Sequence, residues 1–96
     1  MTAGKAGWTV FCSETAGEVL HVSLPKPVED RLVDFLCELA WQAGAAVDLG
    51  LPPPGRPLDA VGVAYTVTVD DVDASIEYLV LRDIKEFQIT GITWAG

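Results

Sequence analysis

The stretch "AVGVAYTVTVDDVDASIEYLVLRDIKEFQITGITW", residues 60–94, decides the fold. Val61, Val63, Tyr65, Val67 and Val69 alternate with Gly62, Ala64, Thr66 and Thr68, and strict alternation of this kind puts one set of side chains on each side of a half-buried strand. Ile76, Tyr78 and Val80 alternate in the same way with Glu77, Leu79 and Leu81. The third run begins with Phe87 and Ile89 in phase, then moves to Ile92 and Trp94 across Gly91. A phase slip at a glycine predicts a β-bulge, which re-aims the side chains beyond it. The three runs read as an antiparallel meander.

Between the first two runs, Asp70, Asp71, Asp73, Ser75 and Glu77 crowd together. Asp71, Asp73 and Ser75 open like a calcium loop, but Ile76 stands where the sharp-turning glycine belongs and Arg82 where the bidentate glutamate belongs. The stretch therefore reads as a solvated hairpin turn, where Asp side chains bond nearby backbone N–H groups.

Upstream, "LPKPVEDRLVDFLCELAWQAG", residues 24–44, carries the clearest helical period. Pro27 suits the first turn, Glu29 and Asp30 complement the positive end of the dipole, and Gly44 suits a stop. Val28, Leu32, Phe35, Leu36, Leu39 and Ala43 form the stripe expected to cover one face of the sheet, with Arg31, Asp34, Glu38 and Gln42 opposite. "WTVFCS" from Trp8 is a strand pattern. The next run, "ETAGEVLHVSL", fits either a hairpin return strand through Leu20, Val22 and Leu24 or a short helix through Ala16, Val19, Leu20 and Leu24, with Gly17 and the β-branched content favouring the strand. "LPPPGRP", residues 51–57, is a stiff extended connector.

The expected fold is α+β in a single domain over residues 1–96: a small antiparallel β-sheet, made of the C-terminal three-strand meander plus an N-terminal strand or hairpin, packed by one long α-helix. Half of the residues are apolar, enough for one small core.

Charge excludes several functions. Six Lys and Arg stand against fourteen Asp and Glu, a formal net charge of -8. Such a surface repels phosphate backbones and anionic lipid, so neither direct nucleic-acid binding nor membrane binding is expected. The N-terminus lacks the apolar core of a signal peptide, and no segment has the length of a membrane span, which points to the cytoplasm. Cys12, Cys37 and the one histidine, His21, have no ligand-like spacing, so no metal, cofactor or catalytic residue is assigned. Both cysteines read as reduced, buried hydrophobes.

In order along the chain, "WTVFCSETAGEVLHVSLPKPVEDRLVDFLCELA", "GRPLDAVGVAYTVTV", "IEYLVL" and "ITGITW" resemble the RelE/ParE superfamily of bacterial toxin–antitoxin toxins. The correspondences are a short strand, a segment ending in Leu-Pro, a Val-x-x-x-Leu helix, a Gly-x-Pro junction and a strand with an aromatic, Tyr65. The resemblance implies a toxin–antitoxin component. Members that cleave ribosome-bound messenger RNA place Arg and Lys on the meander strands and an acid–base residue late in the chain. Here Thr68 and Glu77 occupy strand positions where arginines are usual, and "TWAG" ends the chain without a basic or imidazole group. The resemblance therefore implies the scaffold without the RNase machinery.

These readings converge on a non-catalytic protein-binding module whose partner is a protein, suited by charge to a basic one. One helix covers one sheet face, so Leu79, Leu81, Ile92 and Trp94, with Trp41 on the helix, are the candidate interface residues of a homodimer or permanent complex. Asp30, Asp34, Glu38, Asp70, Asp71 and Asp73 are the candidate acidic surface. Two alternatives stay open. One is an acidic inhibitor or immunity-type protein that blocks a basic, nucleic-acid-binding enzyme; the other is a small enzyme or ligand-binding protein using Cys and His or carboxylates.

Overall fold

The computed structural model describes residues 7–95, so the reading of the first six residues lies outside it. Five strands, β1 (Thr9–Cys12), β2 (Arg56–Pro57), β3 (Ala64–Val69), β4 (Ala74–Leu81) and β5 (Glu86–Trp94), form one sheet in the order β1-β5-β4-β3-β2. Helices α1 (Glu14–Glu18) and α2 (Lys26–Asp48) lie between β1 and β2, and a wide π-helical turn, Val19–Ser23, continues α1. The class is α+β, with one long helix on the sheet.

The meander is antiparallel throughout. Its two connections are tight 3-10 turns at Asp70–Val72 and Arg82–Ile84, each closed by a left-handed residue, Asp73 at φ 54° and Lys85 at φ 52°. The acidic stretch is thus a turn. In the β4–β5 ladder Glu77 faces Gly91 and Tyr78 faces Ile89, which leaves Thr90 as the extra residue. This bulge beside Gly91 is what keeps Phe87, Ile89 and Ile92 all buried despite their broken spacing.

At the N-terminus the expected return strand is absent: residues 14–23 are helical. Ser13 caps α1, its hydroxyl accepting from the Ala16 amide at 3.2 Å. Ala16, Leu20 and Leu24, four residues apart, are buried, whereas Val22 is 76% exposed. Helical spacing therefore decides which side chains reach the core. β1 pairs with β5 in parallel at one edge of the sheet, and the helical segments carry the chain from that edge to β2 at the other. The sheet is consequently mixed, with its antiparallel part confined to β2–β5.

On α2, Leu32, Leu36, Leu39 and Ala43 are buried against the sheet, with Val28 and Phe35 half-buried beside them. Across the core, Trp8 stacks on Phe87 with ring centroids 4.5 Å apart. Gly44 does not stop the helix, which runs on to Asp48. Its role is close approach, because a Cβ there would lie 2.7 Å from the Trp8 ring. The indole Nε1 then donates to Asp48 Oδ1 at 3.1 Å. On the other side of the sheet core, the Tyr78 hydroxyl donates to the Pro54 carbonyl at 2.5 Å and fastens the proline connector.

Candidate functional site

Helix α2 covers one face of the sheet, so the other face is the first candidate surface. Register and alternation place its rows. Phe11, Gln88, Leu79 and Ala64 lie side by side across β1, β5, β4 and β3, and Gly91, Glu77, Thr66 and Arg56 form a neighbouring row ending on β2. Phe11 is exposed, and Leu79 and Leu81 are half-buried. At the β2 end Gly55, Arg56, Thr66, Val67, Thr68 and Ser75 line a shallow depression of about 300 Å³. Glu77 leans away from it over β5, with Oε1 3.3 Å from where a Cβ of Gly91 would sit.

The five interface candidates do not form one surface. Leu79 and Leu81 belong to the open face, whereas Ile92 is buried in the core and Trp94 packs half-buried against it. The bulge at Thr90 is the reason, because one extra residue turns both toward the helix side. Trp41 is exposed on the outside of α2.

The acidic candidates lie in two exposed groups that one contact links. Asp30, Asp34 and Glu38 are exposed on α2, and Asp70, Asp71 and Asp73 are exposed on the β3–β4 turn. Arg31 joins the two groups, its Nε donating to Asp71 Oδ2 at 2.7 Å. That hydrogen bond holds the Asp71 carboxyl below the ordinary carboxylate range. Lys26 pairs with Asp30 at 3.2 Å. Asp34, Glu38, Asp70 and Asp73 have no salt-bridge partner among the described residues.

The groups weighed for catalysis or metal binding lie apart from these surfaces. His21 Nδ1 contacts Glu29 Oε2 at 2.9 Å. Cys12 is half-buried, and burial pushes its thiol pKa up, away from the reactive thiolate. Cys37 is exposed, contrary to the expectation of a buried hydrophobe, because it falls between Val33 and Trp41 on the outward side of α2. No cluster of three His, Cys, Asp or Glu side chains able to hold a metal occurs among the described residues.

The depression at Arg56 escapes sequence reasoning. Two residues of a proline-rich connector add to the sheet edge, and the one local signal is the "GRP" junction, where Gly55 adopts φ +101° and approaches the Thr66 carbonyl.

The crystal structure of the isolated E. coli RelE toxin matches with a TM-score of 0.70, covering 93% of this chain and 85% of the toxin at 13% sequence identity. The chain has the RelE toxin fold. A mutant of E. coli RelE in complex with a peptide of the antitoxin RelBc matches with a TM-score of 0.68, covering 94% of this chain and 85% of that one, again at 13% identity. No protein-family model and no curated protein sequence matches the chain. Among the described residues no helix of this RelE-like fold is long and apolar enough to cross a membrane.

Proposed function

We propose that this RelE-like chain is a cytoplasmic toxin–antitoxin-like component that works by binding a protein and does not cleave RNA. The observation that carries the reading is the composition of the open sheet face. Among its described strand residues Arg56 is the one cation, Thr66, Thr68 and Ser75 supply only hydroxyls, and Glu77 adds a negative charge. Gripping and cleaving an RNA chain requires cations for the phosphates and a placed acid–base pair. A face with this inventory supports neither. Protein binding is supported by the neighbouring fold, since E. coli RelE is seen in complex with an antitoxin peptide. Exposed Phe11 and half-buried Leu79 and Leu81 supply apolar area for a second copy or a permanent partner.

The test is incubation of the purified protein with ribosomes programmed with messenger RNA. Intact message supports the reading, and specific cleavage abolished by Arg56→Ala would overturn it.

A second reading, an acidic inhibitor of a basic enzyme, is favoured by one observation: the Arg31–Asp71 contact ties the acidic β3–β4 turn to the helix that carries the other acids. Such binding would weaken steeply between low and high salt, whereas an apolar interface would hold.

A further inference from the structure

Helix α2 has two sides, and the sheet uses only one. Val33, Cys37, Trp41, Ala45 and Leu49 follow one another at intervals of four residues along the other side, and all five are exposed, with Val33 at 39%, Trp41 at 46% and Leu49 at 76%. Single exposed apolar residues are ordinary on any surface. Five in one unbroken row are not scattered, and rows of this spacing are the ridges through which helices interlock. At 1.5 Å per residue the ridge runs for about 24 Å, enough to seat roughly four turns of another helix.

Beside this ridge runs a second row at the same spacing, Asp30, Asp34 and Glu38, also exposed. The helix's own cations offset only part of it. Lys26 engages Asp30 alone and Arg31 turns to Asp71, which leaves Asp34 and Glu38 without a salt-bridge partner among the described residues.

We infer that the outward ridge of α2 is the docking site for a basic amphipathic helix of a partner protein, with apolar residues seated between Val33 and Leu49 and Lys or Arg reaching Asp34 and Glu38. The inference rests on the protein-binding reading above and names its surface and the chemistry of its partner. Charge selects the occupant. A second copy of this chain packed ridge to ridge would bring acidic row against acidic row, which costs association. An anionic lipid surface is repelled for the same reason. A helix matches the spacing of the ridge, and its anchors recur at the same interval.

The experiment is an amide-shift titration of the full chain by NMR with two synthetic 22-residue helical peptides. Both carry leucines on one face, flanked by Lys and Arg in the first and by Glu in the second. The expected result is saturable binding of the basic peptide alone, with shifts confined to residues 30–49 and affinity falling at least tenfold in both Trp41→Ala and the Asp34→Lys, Glu38→Lys double variant. All three substitutions are at exposed sites, and an unchanged spectrum away from α2 verifies the fold. The inference is overturned if the basic peptide does not saturate, if shifts fall on Phe11, Leu79 and Leu81, or if the double variant binds as tightly. It is equally overturned if the protein alone self-associates through the ridge and Trp41→Ala abolishes that. Binding at the sheet face would sink this inference and leave the protein-binding reading standing. Cleavage of ribosome-bound message would sink that reading without altering the titration.

Discussion

Gly44 and Trp8 share a contact that no side chain at position 44 could allow: a Cβ would stand 2.7 Å from two atoms of the indole and 3.0 Å from its own Cβ. The tryptophan is pinned from behind by its stacking on Phe87 at 4.5 Å and from its edge by Asp48.

Replacing Gly44 with Ala sets two effects against each other. Removing a glycine from a helix interior gains about 1 kcal/mol, while overpacking a closed core costs about 1–3 kcal/mol. Because the ring has no free side to move into, the clash wins, and Gly44→Ala loses stability by up to about 2 kcal/mol in urea unfolding. An unchanged or raised midpoint would mean that the indole can shift.

Tyr78 gives a pH dependence. Burial first, and the charge of nearby Tyr65 second, push its phenol well above its ordinary range. The unfolded chain ionises at about pH 10, so above that pH the unfolded state holds fewer protons than the folded one and stability falls as pH rises. The expectation is a steep loss of stability above about pH 10 that Tyr78→Phe flattens. At neutral pH the same substitution costs about 1 kcal/mol through the lost bond to Pro54. Equal alkaline slopes in the two proteins would contradict the assignment.

Asp71 titrates in the opposite sense. Its carboxyl is held low by Arg31, so the ion pair's contribution is present above the ordinary aspartate pKa and is lost as pH falls through the depressed folded value. Carboxyl carbon shifts followed by NMR should show Asp71 titrating at lower pH than in the Arg31→Ala variant. Coincident curves would show the pair to be open in solution.

Asp59 receives three backbone N–H groups, those of Gly62, Val63 and Ala64, at 2.9, 3.0 and 3.1 Å. It shapes the loop leading into β3. Asp59→Ala should raise hydrogen exchange at these three amides roughly fivefold while leaving β4 unchanged. Unaltered exchange would assign the loop's order to other contacts.

What was legible in the sequence was whatever one period governs alone. The alternations in β3 and β4, the slip at Gly91 and the Leu32–Leu36–Leu39–Ala43 stripe each fit a single geometry and are found where the pattern puts them, except that the first run becomes a strand only at Ala64 and leaves Val61 exposed in a loop. Residues 14–24 were ambiguous because Leu20 and Leu24 satisfy a strand and a helix alike. The burial of Ala16 and the exposure of Val22 separate the two, and both depend on where the core lies in the finished fold. Gly44 looks like a stop in the sequence because the indole it accommodates comes from Trp8, 36 residues earlier in the chain. Ile92 lies on the core face and not the open one because a bulge announces that alternation breaks, and not which way the strand turns afterwards. At the surface, the acidic residues were legible as types, but their union through Arg31 and Asp71 depends on how a helix and a distant turn meet.

The parallel pairing of Thr9 with Glu86 and Cys12 with Ile89 joins the first described strand to the last. Contacts so remote in sequence close late, because the loop entropy is spent before any reward is returned. During synthesis the partner strand of β1 is the last to leave the ribosome, so the cover that Phe87 gives Trp8 is among the last contacts the chain can make.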